Sequence, residues 1–115
     1  LTGTSPKLND VCYVKAGEGL KVERYDQYDF QNLAYKYKNR KIEPLLVTLT
    51  LGNTPEFVTH KGQEFNYSLE GKMKVVIGKS EYVLEPGDSL YFNSMIPHKM
   101  LAVDDGAKYI TIILL

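Results

Sequence analysis

From Ile42 onward the chain alternates short apolar-rich runs with Gly-, Pro- and Asp-containing breaks, and this rhythm predicts strands throughout. Ile42 to Leu51 (IEPLLVTLTL) is rich in β-branched and aliphatic residues, and its later half alternates. Gly52-Asn53-Thr54-Pro55 breaks it, and Phe57 to His60 is short and extended. Lys61-Gly62 is a turn candidate, after which Glu64 to Glu70 forms a strand ending at Gly71. Lys72 to Ile77 (KMKVVI) puts Met73, Val75 and Ile77 on one face and its two lysines on the other. Gly78-Lys79-Ser80 reads as a hairpin turn into Glu81 to Leu84, and Pro86-Gly87-Asp88 as a turn into Ser89 to Phe92. Beyond a loop at Asn93 to Pro97, His98 to Val103 is extended. Asp104-Asp105-Gly106 then turns the chain into Tyr109 to Leu115 (YITIILL). Short strands at this spacing predict a sandwich or barrel rather than βαβ units. The last strand is apolar on both faces, which places it deep in a sheet or at a dimer contact.

The first 40 residues read differently. Val11 to Val14 and Leu20 to Arg24 predict short strands, while Asp29 to Tyr37 fits either a strand with a turn or one helical turn. Tyr13, Tyr25, Tyr28, Tyr35 and Tyr37 predict a half-buried aromatic layer or an interface belt. No internal repeat or low-complexity tract interrupts the pattern.

Composition narrows the classes. A chain of 115 residues, 43% apolar and 24% charged, suits one globular domain. Lys plus Arg (14) equals Asp plus Glu (14), so no basic excess points to nucleic acid. The single cysteine, Cys12, fits a reducing, cytoplasmic setting. No apolar run approaches the roughly 20 residues a membrane span needs, and the chain does not open on a basic-then-apolar leader. Leu1-Thr2-Gly3-Thr4-Ser5-Pro6 reads as a linker. The predicted organisation is a linker-like segment over residues 1–10, with a further domain before it, and a barrel domain over 11–115.

Both histidines sit where chemistry could gather. His60 is followed by Glu64 across the Lys61-Gly62 turn, and His98 follows Pro97 at the start of another strand. If Val58, His60, Asn66 and Ser68 share an inner face, Glu64 joins them, and His98 and Met100 line the same interior from a neighbouring strand. Two imidazoles and one carboxylate form a ligand set for iron, manganese, nickel or zinc. From spacing alone, a strand-end histidine that merely hydrogen-bonds within the fold is the simpler reading. Asn66 and Ser68 either hydrogen-bond a small polar ligand or satisfy each other or a water. Met73, Met95 and Met100 suit adaptable packing. The basic run Lys36-Tyr37-Lys38-Asn39-Arg40-Lys41 reads as a solvated loop in a neutral domain.

The stretch Gly52-x5-Val58-x-His60-x3-Glu64-x6-Gly71 resembles the first motif of cupins, and Gly87 to His98 resembles the second. Tyr67-x-Leu69-Glu70-Gly71 and Glu85-Pro86-Gly87-Asp88 add to the likeness, which covers residues 44 to 115. It implies an all-β fold, a single double-stranded β-helix (jelly-roll) barrel, with a divalent metal held by His60, Glu64 and His98. Three departures stand out. Val58 occupies the place of a further histidine ligand, which implies reduced metal occupancy. Asn93-Ser94-Met95 replaces the usual proline-x-glycine, and Ala102 replaces an asparagine.

Leu33-Ala34-Tyr35, Lys38-Asn39-Arg40-Lys41-x-Glu43-Pro44, Gly62-Gln63-Glu64-Phe65-Asn66-Tyr67 and Gly87-Asp88-Ser89-x-Tyr91-Phe92 look like the C-terminal cupin sensor of bacterial helix-turn-helix regulators. That resemblance implies a homodimer whose pocket (Val58, Asn66, Ser68, Met100) binds a small polar effector, with no membrane contact. DNA would be read only through an N-terminal helix-turn-helix absent from this chain. The alternative is a stand-alone metal-dependent enzyme, a dioxygenase or isomerase.

Overall fold

Strand pairing accounts for most of the computed structural model, which describes residues 10–22, 28–52 and 55–115. The strands are β1 (Leu20–Val22), β2 (Asp29–Asn32), β3 (Ile42–Thr50), β4 (Gln63–Ile77), β5 (Ser80–Leu84), β6 (Ser89–Asn93) and β7 (His98–Leu114). They pair antiparallel in the order β1-β2-β3-β7-β4-β5, with β6 on β4. The domain is all-β, a jelly-roll barrel. Among the described residues no helix is long and apolar enough to cross a membrane.

Two long strands roll the sheet up. The first part of β4 lies between β6 and β7, and its last part lies between β5 and β7. Each of these strands was expected as two separate ones, and the structure joins them. The reason is a glycine corner. Gly71 has φ 71°, and a Cβ there would lie 2.0 Å from the Gly106 carbonyl oxygen. The β4–β7 register shifts between Ser68 and Glu70 and again between Gly71 and Met73. Bulged backbones without side chains can approach this closely and bend together. Gly71 and Asp104-Asp105-Gly106 therefore mark a bend inside the sheet rather than strand ends.

Alternation sorts the faces. Leu45, Val47 and Leu49 of β3, Met73 and Val75 of β4, and Tyr109 and Ile113 of β7 enter one core. On β7 the intervening Ile110 and Ile112 face outward and are half-buried, so the apolar final strand has one core face and one outer face. The Gly78-Lys79 pair closes the β4–β5 hairpin at Ile77 and Ser80.

The N-terminal part corrects one expectation and decides between the alternatives of another. Val11 to Val14 forms no strand, and Tyr13 is 75% exposed. Asp29 to Tyr37 is a strand followed by turns, without a helical turn. Of the tyrosines, Tyr28 is in the core, where its hydroxyl donates to the Met100 carbonyl and accepts from the Met100 amide. Leu1 to Pro6 and Arg24-Tyr25 lie outside the described residues. The loop before β3 is tied down by Glu43, buried against the Asn32 amide (2.9 Å) and the Arg40 guanidinium (3.3 Å). Arg40 thus leaves the solvated run to pair with an acid.

Candidate metal centre

Three segments converge at one place on the inner face. Glu64 is the second residue of β4, where alternation turns it inward and buries it. His98 opens β7 and exchanges backbone hydrogen bonds with Val58, amide to carbonyl at 3.0 Å each way. The His60 amide donates to the Ser94 carbonyl at 3.0 Å, which pins the segment before β4. Between His60 and Glu64 the chain turns at Gly62, φ 96°, where a Cβ would lie 2.6 Å from the Leu114 carbonyl oxygen. Only glycine fits that turn without strain.

The donor atoms meet on one carboxylate oxygen. Glu64 Oε1 is 2.9 Å from His60 Nε2 and 3.6 Å from His98 Nε2. One ligand atom from each residue lies within 4.8 Å of the others. Metal–ligand bonds of ~2.1 Å put neighbouring donors about 3 Å apart and opposite ones about 4.2 Å apart, so small side-chain movements suffice to close around an ion. His98 Nδ1 sits 2.8 Å from the Ile96 carbonyl. A carbonyl only accepts, so Nδ1 carries a proton, and Nε2 is the nitrogen that would give up its proton to bind an ion. The Phe92 ring lies edge-on to His98 at 4.8 Å and fixes the ring plane.

Charge is arranged to match. Burial by itself raises the Glu64 pKa, but hydrogen bonds from His60 and His98, the His98 charge and the Asn66 amide outweigh it and hold the group at about 2. Glu64 is therefore an anion at neutral pH. Burial pushes His98 down, yet its hydrogen bond and charge interaction with Glu64 and its bond to Ile96 leave it raised overall. Without an ion, the imidazoles and the Asn66 amide surround the carboxylate; a divalent cation would supply its countercharge. Such a donor set fits a metal, and His60, Glu64 and His98 are the residues that would hold it.

The residues expected at the pocket divide into two groups. Val58 and Met100 line the cavity beside the triad, with Phe30, Leu45 and Ile113 completing apolar walls. Asn66 and Ser68 are fully buried on the same face, but they are not on the cavity wall. Asn66 instead donates to Glu64 Oε2 at 3.1 Å, and Ser68 Oγ has no partner. Tyr28, Tyr109 and Thr111 line the cavity unanticipated. The alternation of Tyr109, Thr111 and Ile113 could have revealed two of them, had Ile110 and Ile112 not made both faces equally apolar. Tyr109 is buried, which raises its pKa, as do the nearby Glu64 and Tyr28; it enters the cavity as a neutral phenol. The cavity measures about 30 Å³, room for an ion and very few waters.

The sequence has no significant match among the curated proteins. The family model of the Cupin domain matches residues 45–113. Among solved structures the chain is similar to hydroxypropylphosphonic acid epoxidase (HppE) from S. wedmorenis, with TM-score 0.77 and 24% identity over 91% of this chain and 60% of that one. A cobalt(II) form of HppE in complex with substrate is 26% identical, with TM-score 0.68, over 80% of this chain and 55% of that one. An HTH_3 family transcriptional regulator from Vibrio cholerae is 24% identical, with TM-score 0.67, over 77% of this chain and 51% of that one. The chain thus spans between 51% and 60% of the length of these structures.

Proposed function

This chain belongs to the cupin family, and on that premise we propose that its barrel is a metal-centred sensor for a small molecule. His60, Glu64 and His98 hold one divalent ion, ferrous iron before manganese, nickel or zinc. The observation that carries this reading is the convergence of both imidazoles on one ionised carboxylate oxygen. Two histidines and one carboxylate with open positions are the donor set of non-haem ferrous sites. A bound ion supplies a Lewis acid with free coordination positions for a small polar ligand. The chain's own part is to orient the donors, to exclude water with the Val58 and Met100 walls, and to keep Glu64 charged.

The likeness to the Vibrio cholerae regulator and the motifs around Arg40-Lys41-x-Glu43-Pro44 and Gly62-Gln63-Glu64 support a sensor working in a homodimeric transcription regulator. An N-terminal helix-turn-helix outside this chain would read DNA. Ligand and DNA affinity couple there only if the ligand binds one arrangement of the subunits better than the other. The enzyme reading is supported by the 26% identity to cobalt(II) HppE with substrate. Against it, the described cavity walls carry no Lys or Arg, and no acid or base beyond the triad, Tyr28 and Tyr109. A phosphonic acid, the substrate class in that enzyme's name, would find no countercharge there apart from the ion.

Elemental analysis of the purified protein and of His98→Ala tests the reading. About one iron, manganese, nickel or zinc per chain, lost in the variant, supports it; a wild-type protein that takes up none of these ions overturns it. Substrate turnover that stops in Glu64→Gln would favour the enzyme over the sensor.

A further inference from the structure

We infer that Asn66 is a positioning residue that decides which oxygen Glu64 presents to the ion, an inference that rests on the metal-site reading above. The two oxygens of Glu64 have different neighbours. Oε1 faces both imidazoles, at 2.9 Å from His60 and 3.6 Å from His98. Oε2 is occupied by Asn66 Nδ2 at 3.1 Å. An ionised carboxylate only accepts hydrogen bonds, so the amide must turn its nitrogen toward Glu64.

That orientation has a cost which shows what it is for. It leaves Asn66 Oδ1 buried without a partner, at a residue with no exposed surface. A leucine of similar size would leave no orphaned oxygen, so packing alone does not explain the amide; its one satisfied group is the donor on Glu64. Asn66 therefore tethers Oε2 and leaves Oε1 facing the imidazoles, which would make Glu64 a one-oxygen ligand. Three protein donors then hold the ion and the remaining positions stay open for the sensed molecule. Untethered, the carboxylate could rotate and close one of those positions with its second oxygen. Asn66 touches neither ion nor ligand; it acts through Glu64, as outer hydrogen-bond partners of metal ligands do.

Cobalt(II) titration, with X-ray absorption at the cobalt edge, tests this on the wild type and on Asn66→Leu. The wild type should bind one cobalt per chain through a single Glu64 oxygen. Asn66→Leu should bind cobalt on the order of 10–100-fold more weakly, with a spectrum showing both oxygens bound and with the metal-free protein still unfolding cooperatively. Wild-type affinity and spectrum in Asn66→Leu overturn the inference. A wild-type spectrum with both oxygens on cobalt overturns it without any variant, so the test survives a variant that fails to fold. No cobalt uptake by the wild type overturns the metal reading itself, and the positioning role with it.

Discussion

Strand β4 holds two regions that obey the same alternation and do opposite work. Before the Gly71 corner its inner face reads Glu64, Asn66, Ser68; after the corner it reads Met73, Val75. All five side chains are buried. The apolar pair is closely packed core, whereas the polar trio leaves Asn66 Oδ1 and Ser68 Oγ without partners. Buried polar atoms without partners destabilise a fold. The comparison teaches that burial alone does not make a segment core; side-chain polarity and unmet hydrogen bonds set the two halves apart. One half of the strand is apolar core, and the other carries the buried carboxylate of the candidate metal centre.

The corner between the halves is where the largest effect is expected. Gly71→Ala forces a Cβ to 2.0 Å from the Gly106 oxygen at φ 71°, and should destabilise the protein by about 4 kcal/mol or more, seen in urea unfolding. An unchanged midpoint would mean that the two halves are not joined as described. Next, Met73→Ala should cost about 2–5 kcal/mol while the metal affinity of the folded fraction stays at the wild-type value. Altered affinity there would erase the division of labour.

On the polar side, Glu64→Gln should abolish metal uptake and flatten the acid limb of metal-free stability. The sign follows from the protons bound. Glu64 falls from its ordinary 4.5 to about 2 on folding, so between those values the unfolded chain holds more protons. Its stabilisation is complete above pH 4.5 and is lost as the pH falls toward 2. His98 shifts upward and acts oppositely, stabilising below its ordinary 6.5 and fading as the pH rises through its higher folded value. A denaturation series across both windows checks the pair, and an identical acid limb in Glu64→Gln would refute the first shift. The smallest effect belongs to Ser68→Ala, which removes an unpartnered hydroxyl and should change stability by less than about 1 kcal/mol, toward greater stability. A clear loss instead would reveal a buried water bridging Ser68 and Asn66.

Much of this was legible in the residues. The runs from Ile42 onward and the Gly/Pro breaks marked the barrel's strands, and His60, Glu64 and His98 were identified as neighbours. What pattern reading cannot see is an interruption that bends a strand without ending it. Gly71 and Gly106 look like termini because glycine usually marks turns, and only the contact between the two backbones shows a shared corner. The roles of Asn66 and Ser68 were hidden for a different reason. Alternation assigns a side chain to a face, but not to the cavity or to the layer behind it, and Asn66 lies behind Glu64. Glu43 carries no signal of its own in the sequence, since its partners Asn32 and Arg40 are brought to it by the fold.

The pairing of β4 with β7 carries one more consequence. Side chains change face at every residue, so a slip of β7 by a single position against β4 would turn His98 toward solvent while Glu64 stayed inside. Strands so far apart along the chain meet late and can meet wrongly. An ion that needs both residues would bind only the correctly aligned barrel and would draw the population toward it by mass action. Metal capture would then act as proofreading of the strand alignment, with newly made protein more prone to misalignment in metal-starved cells than in replete ones.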